Sequence, residues 1–384
     1  MPEQPSLSRL SPGHILVRGV NWLGDAVMTT PALQRLRERF PESSITLLTH
    51  EKLAGLWHDH PSLNAVITFA SGESPWAIGR RLRVEGFQTA LVLPNSPRSA
   101  LEVWLAGIPQ RVGYARSWRN WFLTRAVPPR PGQGRMHKLS KSEIERRIYV
   151  PASGQEHAKR SQQHGTRNTH QIHDYLHLIS AFGANESPVP PLLHVARSEI
   201  EKVAHRFGLR PDPQKNQPIF GLNASAEYGP AKRWPSERFI AAAREIRQHT
   251  NCLWLILGGN SDASLASEVQ LAIGDQQAAL NLAGKTSLRE LMALLKLCRV
   301  LLTNDTGPMH VAAALGTPVV ALFGSTSPEL TGPGLPGEAG RHLLQSDVPC
   351  SPCFRRTCPI DFRCMTGIGV EDVVAAVLRA ASLA

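Results

Sequence analysis

At 384 residues the chain is long enough for two domains with full cores. Its 42% hydrophobic and 19% charged content is ordinary for a globular protein. No run of eighteen apolar residues occurs, and the opening MPEQPSLSRLSPGH lacks the apolar centre of a secretion signal, so the expectation is a cytoplasmic protein with no membrane span. The net charge of +11 is uneven: Arg130 to His170 holds nine Lys/Arg against three Glu. Such a stripe suits a nucleic acid, an anionic membrane surface or a polyanionic substrate, and equally a solvated loop.

In chain order, Ile15–Val17 reads as a buried strand and Asp25–Phe40 as one amphipathic helix stopped by Pro41. Strands follow at Ile45–Leu48, Val66–Phe69 and Ala90–Leu93, with helical patterns between them. Continuous apolar strands alternating with helices imply a parallel sheet covered on both faces. Residues 130–168 interrupt the alternation as a basic, flexible excursion. A helix resumes at Gln171–Phe182, and the proline-rich ESPVPPLLHV reads as an interdomain linker. The second half repeats the alternation. Ile219–Leu222 is a strand, Ser236 caps a helix reaching His249, and Leu253–Leu257 is a strand ending at Gly258-Gly259. Ser287 caps Leu288–Leu297, Val300–Thr303 is a strand, and Pro318–Phe323 is the last one. A final helix, 370–384, could pack back on the first domain. The expected division is 1–190 for the first Rossmann-like domain, with 130–168 as its excursion, and 191–369 for the second.

Three polar turns follow strands, where open α/β sheets place their ligands. Asn21-Trp22-Leu23-Gly24-Asp25 opens the first helix. Gly24 permits close approach to the backbone, and Asp25 could take a proton from a hydroxyl or merely cap the helix. Lys232 and Arg233 lie in the Gly/Pro loop AEYGPAKRWP, where two cations suit a diphosphate or belong to a solvated loop. Asn304-Asp305-Thr306-Gly307 opens another helix. The Thr306 and Gly307 N–H groups would face an anion, Asp305 would accept from sugar hydroxyls, and His310 lies one turn on. Cys252 and Cys298 sit in apolar runs and read as core thiols, whereas Cys350, Cys353, Cys358 and Cys364 cluster closely enough for a structural zinc or for free or redox-active thiols. No GxGxxG fingerprint, Walker loop or serine nucleophile elbow is present. A nucleotide or RNA binder built on the basic segment is the remote alternative; it lacks interleaved aromatics, so no nucleic acid is expected.

Four motifs carry a family resemblance: NWLGD at 21–25, LPNS at 93–96 with SAL at 99–101, EYGPAKRWP at 227–235, and NDTG at 304–307 with HVAAA at 310–314. Together they make the chain resemble the ADP-heptose:lipopolysaccharide heptosyltransferases from Ile15 to about Ser327. Within that family it is most similar to the members that add heptose to the first heptose of the inner core. The resemblance implies a GT-B fold, two Rossmann-like domains facing across a cleft, and inverting transfer of heptose from ADP-L-glycero-β-D-manno-heptose. It implies Asp25 as catalytic base and Lys232 on the donor diphosphate. Asp305, Thr306, Gly307 and His310 would hold donor sugar and phosphates, with Arg233 assisting and Asp262 a candidate for the ribose. Asn21, Trp22, Gly24, Asn95 and Ser96 are the acceptor-side candidates. The implied acceptor, a heptosylated Kdo-lipid A, places the enzyme at the cytoplasmic face of the inner membrane. No metal is required for catalysis in this chemistry, because cations and a helix dipole can offset the charge on departing ADP.

Overall fold

The computed structural model of the chain describes residues 13–134, 136–149, 169–209 and 217–382. Two six-stranded parallel sheets organise it. The first comprises β1 (His14–Arg18), β2 (Ser44–His50), β3 (Ala65–Phe69), β4 (Thr89–Val92), β5 (Gln110–Tyr114) and β6 (Arg125–Val127), in the order β3-β2-β1-β4-β5-β6. The second comprises β7 (Ile219–Asn223), β8 (Leu253–Ile256), β9 (Ala279–Asn281), β10 (Val300–Asn304), β11 (Val319–Phe323) and β12 (Arg341–Gln345), in the order β12-β11-β10-β7-β8-β9. The second order is the first one read from the other edge. Each sheet therefore reverses its winding once, between β1 and β4 and between β7 and β10. Loops leaving such a pair of strands diverge, which opens a crevice at their carboxyl ends. The expected α/β class and two Rossmann-like halves are present.

Apolar continuity explains the strands. Ile15, Leu16 and Val17 are fully buried, as are Val300, Leu301 and Leu302, because helices cover both faces. The first helix departs from expectation. It is two helices, Leu23–Met28 and Thr30–Arg39, meeting at Thr29. Pro31 has no N–H for the Val27 carbonyl, and the Thr30 hydroxyl donates to that carbonyl instead, at 2.8 Å. Ser236 is likewise not a cap: Pro235 occupies the N-cap position and the helix runs Ser236–Thr250. Ser287 does cap Leu288–Leu297, with Glu290 completing a capping box. The strand expected to be last is followed by β12, a half-exposed edge strand whose polar ends hide its pattern.

The contacts divide the chain into two units. Described residues up to Gln133, with His170–His194, form one; the described part of 134–169, with Val195 onward, forms the other. This corrects two expectations. The part of the basic excursion that is described, including the helix Lys141–Tyr149, belongs with the second sheet, not the first. Its Leu139 and Ile144 bury against Cys350 and Cys353, and Leu139 N–H donates to the Cys353 carbonyl at 3.0 Å. Most of the remaining excursion, 151–168, lies outside the described residues. The last helix, Val370–Ser382, packs on Ser236–Thr250 and its own sheet, burying Val373, Val374 and Val377 in one core with Phe220, Leu302 and Val320. Among the described residues no helix is long and apolar enough to cross a membrane.

Candidate active site

The loops at the first reversal point carry the acceptor-side candidates. Asp25 stands half-buried in the first turn of the helix that follows β1. Gln171, just before the helix Ile172–Ser180, donates its amide to Asp25 Oδ1 at 3.3 Å and to the Tyr175 hydroxyl at 2.8 Å. Burial, then the negative charge of Asp25, pushes the Tyr175 phenol well above its ordinary range, so it stays protonated. Asn21 accepts from Arg18 Nη1 at 3.1 Å. Arg18 is itself buried: its Nε reaches Glu102 Oε2 at 2.8 Å and its guanidinium lies 4.5 Å from the Phe69 ring centre. A buried ion pair thus sets the floor beneath the 21–25 turn. Trp22 is half exposed, with the Lys52 ammonium 5.7 Å from its ring, and Gly24 sits in the first turn with Asp25.

From neighbouring β4 comes Asn95, exposed and accepting from Arg119 Nη1 at 3.2 Å. Arg119 is wholly buried, and burial followed by nearby Arg116 lowers its guanidinium to about 10. Ser96 caps the helix Pro97–Leu105, accepting from Ser99 N–H at 3.3 Å, so its hydroxyl already has a structural task.

The loops at the second reversal point are bound into one another. Asn304, at the end of β10, is fully buried. Its Nδ2 donates to the Ala224 carbonyl at 2.8 Å and its Oδ1 accepts from Trp234 N–H at 3.0 Å. One side chain therefore holds both ends of the 224–234 loop. That loop delivers Lys232, whose Nζ lies 2.6 Å from Asp305 Oδ2 and 4.8 Å from the Tyr228 ring centre. The Thr326 hydroxyl donates to the same Asp305 oxygen at 2.6 Å. Thr306 is the N-cap of the helix Gly307–Ala314, and its hydroxyl meets that of Thr303 at 3.0 Å. His310 is buried in that helix. The structure thus joins Lys232 with Asp305, expected to have separate tasks, beside a helix start. Arg233 is exposed, and its guanidinium donates to the Ala226 carbonyl at 3.1 Å, bracing its own loop. Asp262, beyond β8, accepts from Gly259 N–H at 2.8 Å.

The cysteine segment turns out to wrap this loop. Tyr228 donates to the Phe354 carbonyl at 2.8 Å, Ala231 N–H to the Arg356 carbonyl at 3.0 Å, and the Arg356 guanidinium lies 5.2 Å from the Tyr228 ring centre. Gly229, at φ +146°, allows the contact; a Cβ there would sit 2.6 Å from the Arg356 oxygen. The zinc expectation at Cys350, Cys353, Cys358 and Cys364 is not supported. Among the described residues no group of three His, Cys, Asp or Glu is placed to hold a metal. Cys350 and Cys353 pack on Leu139 and Ile144, Cys364 enters the second core, and burial pushes the Cys364 thiol up to about 12. Gln171 and Arg356 were absent from the expected site, and Asn304 and Tyr228 lay in its motifs without a task of their own; each acts across a long separation in the chain.

The model of glycosyltransferase family 9 (heptosyltransferase) matches residues 148–362. The lipopolysaccharide heptosyltransferase 2 of Escherichia coli (strain K12) is 30% identical over 330 residues, covering 83% of this chain and 85% of that protein. The lipooligosaccharide heptosyltransferase 2 of Haemophilus ducreyi is 29% identical over the same shares. The structure of E. coli ADP-heptose lps heptosyltransferase II superposes with a TM-score of 0.74 at 25% identity, covering 96% of this chain and 99% of that one. The fold is of the GT-B type found in those enzymes, and the chain belongs to glycosyltransferase family 9, the heptosyltransferases.

Proposed function

We propose that this chain is an inverting heptosyltransferase that moves heptose from ADP-L-glycero-β-D-manno-heptose to the first heptose of the lipopolysaccharide inner core. Asp25 is the base. It accepts the proton of the acceptor hydroxyl as that oxygen bonds to the anomeric carbon, and the bond from that carbon to the diphosphate oxygen breaks with its electron pair leaving on ADP. Gln171 is a positioning residue that holds the Asp25 carboxylate. Lys232 meets the growing charge on the diphosphate, helped by the Thr306 and Gly307 N–H groups at their helix start. Asp305 orients the Lys232 ammonium and offers its second oxygen to sugar hydroxyls. Asp262 would take the ribose, and Asn21, Trp22, Gly24 and Asn95 the acceptor. The chemistry needs no metal, so activity should survive exhaustive chelation. The enzyme would work at the cytoplasmic face of the inner membrane, where a Kdo-lipid A acceptor sits.

The observation that carries this reading is the Lys232–Asp305 pair at 2.6 Å, held at a strand-order reversal beside a helix start. A transfer assay tests it. Purified protein is given ADP-heptose with acceptors bearing no, one or two core heptoses. A mass gain of one heptose on the monoheptosylated acceptor supports the reading. Gain only on another acceptor keeps the family and changes the step, and no gain on any contradicts it.

A further inference from the structure

Five of the eight tryptophans are exposed, and all five lie before residue 122: Trp22 at 50%, Trp76 at 71%, Trp104 at 46%, Trp118 at 81% and Trp121 at 84%. The two in the second unit, Trp234 and Trp254, are buried at 2% and 0%. A large indole is ordinarily mostly buried. Leaving four of them on two neighbouring helices and the loop beside them demands a partner.

These four belong to one tract of surface. The helix Pro75–Arg83 seats against the end of the helix Pro97–Leu105 so closely that a Cβ on Gly79 would fall 2.5 Å from Leu105 Cβ, and Arg83 Nη2 donates to the Leu105 carbonyl at 2.7 Å. Trp76, Arg80 and Arg83 are exposed along the first helix at i, i+4 and i+7, and exposed Val84 follows as its C-cap. Trp104 ends the second helix and meets the Phe122 ring edge-on at 5.8 Å. Phe122 closes the loop that carries Trp118 and Trp121.

That loop is built to hold its indoles outward. Trp118 has φ +66°, a conformation that costs a bulky residue energy and survives only where the surroundings enforce it. The enforcing contacts are Arg119 N–H to the Ser117 carbonyl at 2.9 Å, Arg116 N–H to Asn120 Oδ1 at 2.9 Å, and the wholly buried Arg119. A strained, rigid turn that gives its tryptophan so little cover is arranged for something outside the chain.

The charge of the tract says what. From Pro75 to Arg125 there are eight arginines, no lysine or aspartate, and two glutamates, one of which, Glu102, is buried against Arg18. Indoles interleaved with the exposed Arg80, Arg81, Arg83 and Arg98 match the headgroup zone of an anionic bilayer, where the ring sits at the polar boundary and an exposed guanidinium meets lipid phosphate. We propose that the helices Pro75–Arg83 and Pro97–Leu105 and the 115–122 loop dock the protein on an anionic lipid bilayer. The proposal deepens the functional reading by giving the enzyme its membrane face, and it is tested without donor or acceptor, so the two can fail separately.

The experiment is flotation of the full chain with vesicles of phosphatidylcholine, alone or mixed with phosphatidylglycerol. The protein should float with the anionic vesicles only, come off in high salt, and show a blue shift of tryptophan emission when bound. Trp76→Ala/Trp121→Ala should weaken binding by roughly tenfold or more, and Arg80→Gln by about fivefold. Trp118→Gly should raise the melting temperature while weakening binding, a combination that an internal structural role for this indole would not give. Three results would overturn the proposal: no flotation of the folded protein, flotation indifferent to these substitutions, or a concentration-dependent dimer that Trp76→Ala/Trp121→Ala abolishes, which would make the tract a contact between two copies.

Discussion

The two sheets share one strand order, yet the loops at their reversal points are built in opposite ways. In the first unit the turn after β1 offers a half-buried carboxylate, and neighbouring Asn95 stands exposed, both steadied from behind by Gln171 and Arg119. In the second the cation and carboxylate are buried together, with Asn304 tying both loops into the sheet. The fold supplies the place and the loops supply the chemistry. An open carboxylate suits a group that must meet a large, variable acceptor; a braced ammonium suits a diphosphate that must be held the same way in every turnover.

The comparison can be broken most forcefully at Asp25. Asp25→Asn should lower kcat by roughly 10²–10⁴-fold while leaving thermal stability near that of the parent, because the side chain keeps its shape and loses only its basicity. Lys232→Ala should lower kcat/KM by about 10²–10³-fold. It should also cost about 3 kcal/mol of stability, since Asp305 is left buried without its cation. Adding Asp305→Asn should restore much of that stability and none of the activity, as urea unfolding beside a transfer assay would reveal.

Acid separates the units by another route. His60, buried in the first unit, is held down to about 4 against an ordinary 6.5 by burial, partly opposed by a hydrogen bond to the Leu192 backbone. Its folded pKa lies below its unfolded one, so between these values the unfolded chain takes up a proton that the folded chain refuses. Stability from this group is complete above pH 6.5 and is lost as pH falls towards 4, by on the order of 3 kcal/mol. Unfolding curves across that window should show a shallower slope in His60→Gln than in the parent, with burial of His173 and His342 supplying what remains. The smallest effect belongs to Gly229→Ala. The new Cβ would press on the Arg356 carbonyl at 2.6 Å. Stability should fall by about 1–3 kcal/mol, and KM for the donor should rise more than kcat falls, since the loop bearing Lys232 shifts while Asp25 does not.

Much of this was legible in the sequence because it is local. Apolar runs give strands buried on both faces, and polar turns after strands gave Asp25, Lys232 and the 304–307 turn with their elements. What stayed hidden depends on residues far apart in the chain. Lys232 and Asp305 pair only because β7 and β10 are neighbours, which no periodicity reveals. Gln171 reaches Asp25 because a helix returns to the first unit after the excursion. The cysteine spacing suggested a metal, yet its backbone carbonyls, not its thiols, brace the Lys232 loop. The break at Thr29 was signalled by Pro31, since a missing N–H four residues after Val27 must be answered somehow, and a threonine hydroxyl answers it.

The most direct test of the central claim pairs two readings on one variant. Donor affinity and single-turnover transfer are measured for the parent and for Asp25→Asn, with ADP-heptose and the monoheptosylated acceptor. Unchanged donor affinity with transfer lost in the variant is the predicted result, because the proposal assigns the donor to the second unit and the base to the first. Transfer by Asp25→Asn at the parent's rate would contradict the account.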